Sequence, residues 1–505
     1  MTKHLIQSKY HTDFLLFLAV QVGIYLFLLL FFTQICPLVL YDGDDWQNIG
    51  WMRLALPVWG SWNPSRVLPE TIMPFAGWIA AYVIYPLNGD YFRAITIGCA
   101  IIISAAILLL CLCAEHFFRI RFKVSARLAL FLEILFLVLQ FFLFRTRGTS
   151  RYMFQAYDLT CVFNYTLPGI LGMCTVLAML SYEDYAAHFL KLDAFRKGAF
   201  LLLLYLSIFS HDYASEVPAI LCGTLLIRNF ARERKQCREN RKVPDVRVFC
   251  RSNSLYLAGL VLWMVSLLFE AGGGRSAHME NGAVIDIGKA FAQLLAMIQA
   301  LRPVFALCLI LILVWIVARH RRHRSFPDGG GLIRMVLVNL ALTTAYLLIL
   351  SSIVSYMSRI EASWNIWEYL ILIVMIGIVR LLQCYPGLKC LMVPALFILM
   401  FSTAAPDGRF LISTVNSTDY ETCMNTDVYI LEQVQTADRE GLDSVTITVP
   451  SYPDDTRSWI FTNDFGERIS QTLYNHGMIR QKLQIEVISD PSLNEEMVRY
   501  QQPEG

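Results

Sequence analysis

The chain has 505 residues, of which 56% are apolar and only 16% charged, and its mean hydropathy is +0.50. Soluble domains carry about 25% charged residues, so this composition excludes a soluble enzyme, a disordered chain and a nucleic-acid binder with a basic face. The net charge of +2 conceals an asymmetry: residues 1–404 hold 35 basic and 23 acidic residues, whereas residues 405–505 hold 7 and 17.

The first apolar run, about Phe14 to Phe32, follows Lys3, His4 and Lys9. It is too long for a signal-peptide core and no small-residue cleavage site follows it, so it reads as a retained first span. Further stretches near the ~20-residue spanning length occur at roughly 93–115, 127–144, 165–181, 197–210, 212–229, 254–270, 302–319, 333–353, 366–382 and 389–404. The stretch 70–88 is broken by Pro74, Gly77 and Pro86. Lys and Arg accumulate on the cytoplasmic side of a membrane. The basic loops Arg119–Arg127, Arg228–Arg251 and Arg319–Arg324 all fall inside if 70–88 lies on the outer surface or re-enters. That choice gives eleven spans, an internal N-terminus and an external acidic tail. The expected fold is therefore mainly α. It comprises a polytopic membrane domain over 1–404, whose first outer loop (36–92) carries juxtamembrane helices, and a small α/β domain over 405–505. In that tail, Ser444–Val449 alternates as a strand, Leu483–Ile488 reads as a second, and Thr426–Ala437 as a helix.

Most of the thirteen cysteines sit inside apolar runs, where they act as small hydrophobes; none has the spacing of a zinc site, and the tail's single Cys423 cannot form a disulfide within it.

The most informative segment is Tyr41-Asp42-Gly43-Asp44-Asp45-Trp46, directly after the first span. Three carboxylates in four positions repel one another, and carboxylates so placed are raised in pKa or paired with a cation. Trp51, Trp59 and Trp62 follow, then Asn63-Pro-Ser-Arg66; the tryptophans are suited to a membrane interface or to stacking on sugar faces.

An acidic motif in a first outer loop just past the first helix resembles the GT-C superfamily of membrane glycosyltransferases. The subsequent Trp-Asn-Pro-Ser-Arg and proline-broken stretch are similar to the serotype-converting glucosyltransferases that decorate bacterial O-antigens. The resemblance covers the pattern of residues 10–130. It implies a hexose, glucose by analogy, carried on a polyprenyl phosphate, an acceptor glycan outside the cytoplasm, inversion at the anomeric carbon and a bacterial cytoplasmic (inner) membrane. Lipid bilayer, donor and acceptor are then the partners, with no nucleic acid. No cofactor is expected; a divalent cation at the acidic loop is not favoured for a monophosphate donor.

The residues suit that chemistry. A carboxylate can take the acceptor hydroxyl proton, and the phosphate leaves as an anion, so cationic donors suffice on that side. Asp44 or Asp45 is the expected base, Asp44 ahead, with Asp42 supporting. Arg66 is the first candidate for the donor phosphate, with Glu70 beside it in sequence. Arg147 and Arg151 with Tyr152 form a second basic outer loop that runs against the positive-inside pattern. His211 and Asp212 interrupt an apolar hairpin, either as site residues or as a hydrogen-bonded turn. Arg359 either pairs with Glu361 or joins the phosphate site. Gly272-Gly-Gly274 and Gly329-Gly-Gly331 lack the Lys-Ser/Thr of a phosphate-binding loop and read as flexible loop ends. Asn164 and Asn416 match glycosylation sequons by spacing alone, and Asp454-Asp455 reads as solvated. The competing reading is a lipid-linked glycan flippase or transporter. Such a protein should carry polar positions along its mid-membrane faces, whereas these spans read as mostly bare of ionisable residues.

Overall fold

A computed structural model describes residues 2–144, 152–241, 243, 245–279, 285–321, 330–403, 419–453, 458–460 and 464–499. The chain is 77% helical. Among the described residues, seven helices are long and apolar enough to cross a membrane, which makes it a mainly α membrane protein. They are α1 (Thr2–Leu30, continued by a wide turn Phe31–Ile35), α4 (Tyr91–Phe122), α6 (Leu159–Leu180), α9 (Ser254–Ala271), α12 (Gly331–Val354), α13 (Trp364–Cys384) and α14 (Pro386–Thr403). The other four expected spans are also helical: α5 (Ala126–Phe142), α7 (Ala194–Ile208), α8 (Asp212–Glu239) and α11 (Pro303–Arg321). Helix starts follow their caps. Asp90, Ser125 and Asp193 each accept the amide three residues on, satisfying a donor the helix leaves orphaned.

Burial orders the bundle. α6 and α13 are buried around most of their circumference and α4 along one side, whereas α1, α9 and α14 expose apolar side chains such as Phe14, Met264 and Phe401, as lipid-facing helices do.

Between α1 and α4 the chain folds back twice. A short helix α2 (Gly43–Gly50) leads through an irregular loop into α3 (Pro69–Ile79), prolonged by turns to Asn88. The proline-broken stretch thus lies as a helix against α2 and α4. A Cβ on Gly77 would stand 2.1 Å from the Ile49 carbonyl oxygen, so glycine is what allows α3 to pack this closely on α2. α10 (Ile287–Ala300) packs on α12.

In the C-terminal segment, α15 (Tyr420–Arg439) packs on strand β1 (Ser444–Val449). β1 pairs in parallel with β2 (Gln484–Ser489), in register from Ser444 opposite Gln484 to Val449 opposite Ser489. α16 (Phe465–Asn475) makes the crossover that a parallel pair requires. It also docks on α2: the Thr472 hydroxyl donates to the Trp46 carbonyl at 2.6 Å and Asn475 Nδ2 to the Gly50 carbonyl at 2.9 Å. The Trp459 indole N–H donates to the Tyr41 carbonyl, and the two rings stack. Asp454, Asp455 and Asn416 lie outside the described residues.

Among the described residues, Glu133, Glu216 and Glu368 are enclosed within the helices of the bundle, which corrects the reading of mostly bare spans. Each accepts from a carboxamide: Glu133 from Gln21 at 2.9 Å, Glu368 from Gln140 at 2.8 Å, and Glu216 from Asn365 at 3.4 Å. In a dry interior a polar group without a partner costs several kcal/mol, so pairing acid with amide across helices is the expected local solution.

Candidate functional site

Four segments far apart in sequence meet around a cavity of about 830 Å³. Its wall carries Asp42 and Asp44 from the first loop, Arg66 further along it, Tyr157, Asp158 and Asn164 at the start of α6, Arg275 after α9, and Tyr356, Arg359 and Glu361 before α13. Asp42, Asp44, Arg66 and Arg359 were expected here.

The acidic motif is explained by its helix. Asp42 caps α2, its Oδ1 accepting the amides of Asp44 at 2.9 Å and Asp45 at 3.4 Å. One residue per 100° of helix sends the next two carboxylates in different directions. Asp44 faces outward onto the cavity rim, where Arg468 Nη1 of α16 donates to its Oδ1 at 2.5 Å. Asp45 turns inward and is fully buried. Its Oδ2 accepts the Tyr41 amide at 2.7 Å and the Leu159 amide at 3.3 Å, and its Oδ1 accepts the Thr160 amide at 2.6 Å. Asp45 therefore ties the first loop to α6, and its placement corrects its candidacy as a base: a carboxylate enclosed by three backbone donors has no approach to a substrate.

Asp158 repeats the capping arrangement on the facing wall, its Oδ1 accepting the Cys161 amide at 2.6 Å. Burial, joined by the Asp158 and Asp44 charges and opposed by the two amides, pushes the Asp42 pKa up to about 7. Burial and the Asp158 and Asp42 charges raise that of Asp45 against the Thr160 hydrogen bonds. Burial raises that of Asp158 against the Arg359 charge.

Arg359 pairs with Glu361, as one of its two expected roles required, and also lies on the cavity wall. Its Nε donates to Glu361 Oε1 at 2.6 Å. Its guanidinium lies on the cavity wall, 4.8, 5.0 and 5.6 Å from the ring centres of Tyr356, Tyr157 and Tyr165. Arg66 and Arg275 differ from it. Among the described residues neither guanidinium has a hydrogen-bond or ion-pair partner, although both reach the cavity. The backbone brings them together. Ser65 donates its amide to Glu270 Oε1 at 2.8 Å, and its hydroxyl donates to the same oxygen. The Gly274 and Arg275 amides donate to the Ser61 and Trp62 carbonyls at 3.0 and 3.2 Å. A Cβ on Gly273 would come within 2.6 Å of Pro64. The glycine run is thus the seat of the tryptophan loop rather than a free end.

Several expected site residues stand elsewhere. Glu70 is off the cavity wall, in an ion pair with Arg53 at 3.0 Å and accepting from Asn63 at 3.1 Å; burial raises its pKa against the Arg53 and Arg66 charges. Tyr152 is a core residue, fully buried, stacked on Phe141 and 3.1 Å from the Cys36 sulfur. His211 caps α8, its Nδ1 accepting the Tyr213 amide at 3.2 Å. Burial, with the Arg66 and Arg359 charges, pulls its pKa well below the ordinary value. Its ring stands 4.3 Å from that of Tyr165, one layer behind the cavity, and Asp212 follows it at the start of α8. Arg147 and Arg151 lie outside the described residues. Asn164 is buried on the cavity wall. Arg275, Tyr157, Tyr165 and Tyr356 were not expected. The one available signal was Arg275, an arginine just beyond the end of an apolar helix, the same argument that singled out Arg359. Among the described residues no three Asp, Glu, His or Cys side chains are grouped as metal ligands.

The cavity thus gathers carboxylates, guanidinium groups and tyrosine rings in one lining. No family model matches the sequence, and neither curated proteins nor solved structures give a match.

Proposed function

We propose that the protein is an inverting membrane glycosyltransferase of GT-C type with eleven spans, an internal N-terminus and its C-terminal α/β domain outside. It would move a hexose from a polyprenyl-phosphate donor onto a cell-surface glycan. The observation that carries this reading is the cavity itself, where the exposed Asp44 carboxylate and two unpartnered arginines, Arg66 and Arg275, share one wall system. Asp44 takes the acceptor hydroxyl proton as that oxygen attacks the anomeric carbon. Asp42, with a pKa near 7, holds the motif's turn and shares the local negative charge. Arg66 and Arg275 receive the departing phosphate, for which a planar guanidinium fork is well matched. Arg359, fixed by Glu361, adds positive charge from the opposite side. Tyr157, Tyr165 and Tyr356 offer flat apolar faces to a sugar ring.

The second reading, a flippase or transporter of lipid-linked glycans, is favoured by one observation: the enclosed Glu133, Glu216 and Glu368, since ionisable residues at membrane depth often mark transport pathways. Transfer from radiolabelled polyprenyl-phosphate glucose by purified protein in nanodiscs separates the two. Asp44→Asn should lower turnover by roughly 10²–10⁴-fold, the range for loss of a general base, while donor binding survives and Asp45→Asn behaves as a stability variant. A parent that binds donor yet yields no product under any donor sugar would sink the enzyme reading.

A further inference from the structure

We infer that a cleft between α8 and α12, on the membrane face opposite the cavity, is a binding site for an anionic phospholipid. α12 begins near the cleft and ends beside Tyr356, so the two sites are separated by ~33 Å of helix at 1.5 Å per residue. The cleft encloses about 440 Å³ and is lined by Arg228, Arg232 and Arg334 at one end and by Ile227, Val338 and Leu342 among its apolar residues.

The arrangement has the polarity of a lipid. On α12, Arg334, Val338 and Leu342 follow at intervals of four, so they form one stripe with the charge nearest the helix start and ~12 Å of apolar wall below it. That depth is most of one leaflet of a ~30 Å hydrocarbon core. On α8 the order is reversed with the chain direction: Thr224 and Ile227 lie deeper, and Arg228 and Arg232 follow towards the membrane surface. Both helices therefore place guanidinium groups at the same level and apolar side chains beneath them.

Among the described residues, the charged side chains on the cleft wall are of one sign. Arg228 donates to the Glu183 carbonyl at 2.9 Å and touches the Met335 sulfur at 3.9 Å, which fixes its position without neutralising it. The Glu183 carboxylate is taken by Arg121 at 3.8 Å. Among the described residues, the side chains of Arg232 and Arg334 have no hydrogen-bond or ion-pair partner. Like-charged guanidinium groups held together over an apolar slot repel one another unless an anion lies between them. Basic pockets between helices at a membrane surface are where anionic head groups lodge. A phosphate with acyl chains attached satisfies both halves of the cleft, which free phosphate does not.

The test is retention of phosphatidylglycerol by purified protein in phosphatidylcholine nanodiscs doped with it, read by native mass spectrometry. An arginine near a membrane surface contributes roughly five-fold in anionic-lipid binding. The double variant Arg232→Gln with Arg334→Gln should therefore retain the lipid roughly twenty-five-fold less than the parent. Lys389→Gln, a basic change remote from the cleft, should leave retention unchanged. Val338→Trp, which fills the apolar half and keeps every charge, should also lower retention, and it decides the matter if the double variant does not fold. Parent-like retention in both cleft variants, or an equal loss in Lys389→Gln, would overturn the proposal. Displacement of the lipid by millimolar inorganic phosphate would overturn it too, by assigning the site to the free anion.

Discussion

The two ends of the bundle use arginine in opposite ways. At the cavity, Arg359 is bonded to Glu361 and ringed by three tyrosines, and it shares the lining with Asp42, Asp44 and Asp158. At the far face, Arg228, Arg232 and Arg334 gather over an apolar cleft on whose wall no acidic side chain stands among the described residues. Positive charge alone needs only an anion to settle against, and a membrane surface supplies one. Opposite charges in one cavity are a different arrangement: they offer both a proton acceptor and an anion site to the same small molecule. On the readings proposed above, the difference separates a surface held by lipid from one that acts on a substrate.

The sharpest way to break this comparison is to remove one guanidinium from each end. Arg66→Gln and Arg275→Gln should each weaken donor binding by roughly 10–100-fold, the loss of a hydrogen bond to a charged group being about 1.5–3 kcal/mol. Arg232→Gln should leave donor affinity unchanged. Equilibrium binding of a labelled polyprenyl-phosphate sugar measures both. Equal losses at the two ends would mean that the cavity arginines act only as general surface charge.

A second test concerns how the cavity wall is held. Asp45→Ala strands the Tyr41, Leu159 and Thr160 amides, each costing ~1–3 kcal/mol when buried without an acceptor. The expected loss is about 3 kcal/mol or more, read as a clear fall in Tm in detergent, with Asp45→Asn recovering part of it through its remaining oxygen. Asp44→Asn, one position away, should leave Tm close to the parent's.

That contrast also shows where sequence reading ends. The helices were legible because apolar runs of spanning length leave few alternatives, and the Asp42–Asp45 cluster, Arg66 and Arg359 stood out as charges beside the membrane. Which of Asp44 and Asp45 faces the cavity was not legible from their chemistry. Asp44 and Asp45 are neighbours with the same chemistry, and their roles are divided by the amides of Leu159 and Thr160, more than a hundred residues away. Tyr152 and Tyr157 were equally indistinct: five residues apart, one fills the core against Phe141 and the other lines the cavity. Arg275 was hidden by the preceding glycines, whose role depends on the approach of Pro64 and Trp62.

The carboxylates at the cavity should also give this end of the molecule a pH dependence that the arginine cleft lacks. The Asp42 pKa is near 7 in the folded chain against an ordinary 3.8, so the folded state binds the proton more tightly than the unfolded state. Its contribution to stability is then full below about pH 4 and is lost as the pH rises towards 7. Asn caps a helix as well as Asp does and carries no charge. Asp42→Asn should therefore gain Tm over the parent progressively between pH 4 and 7, with a constant difference above. A difference independent of pH would place the titration on another group.

The smallest effect is expected at the contact between the C-terminal segment and the cavity. The Arg468 and Asp44 side chains are 26% and 64% exposed, and pairs so open to water contribute about 0–1 kcal/mol. Arg468→Gln should therefore leave Tm nearly unchanged, since α16 is also held to α2 through Thr472 and Asn475. Arg468 is not on the cavity wall, so donor affinity should hold as well. What the ion pair does control is the direction of the Asp44 carboxylate, and a base free to swing spends less time facing the acceptor hydroxyl. Turnover should fall by a modest factor at constant donor affinity, and Arg468→Lys, which keeps the charge, should restore part of it. A rise in turnover would reverse the assignment: Arg468 would then be occupying the carboxylate that the acceptor needs, and the C-terminal segment would restrain the site instead of ordering it.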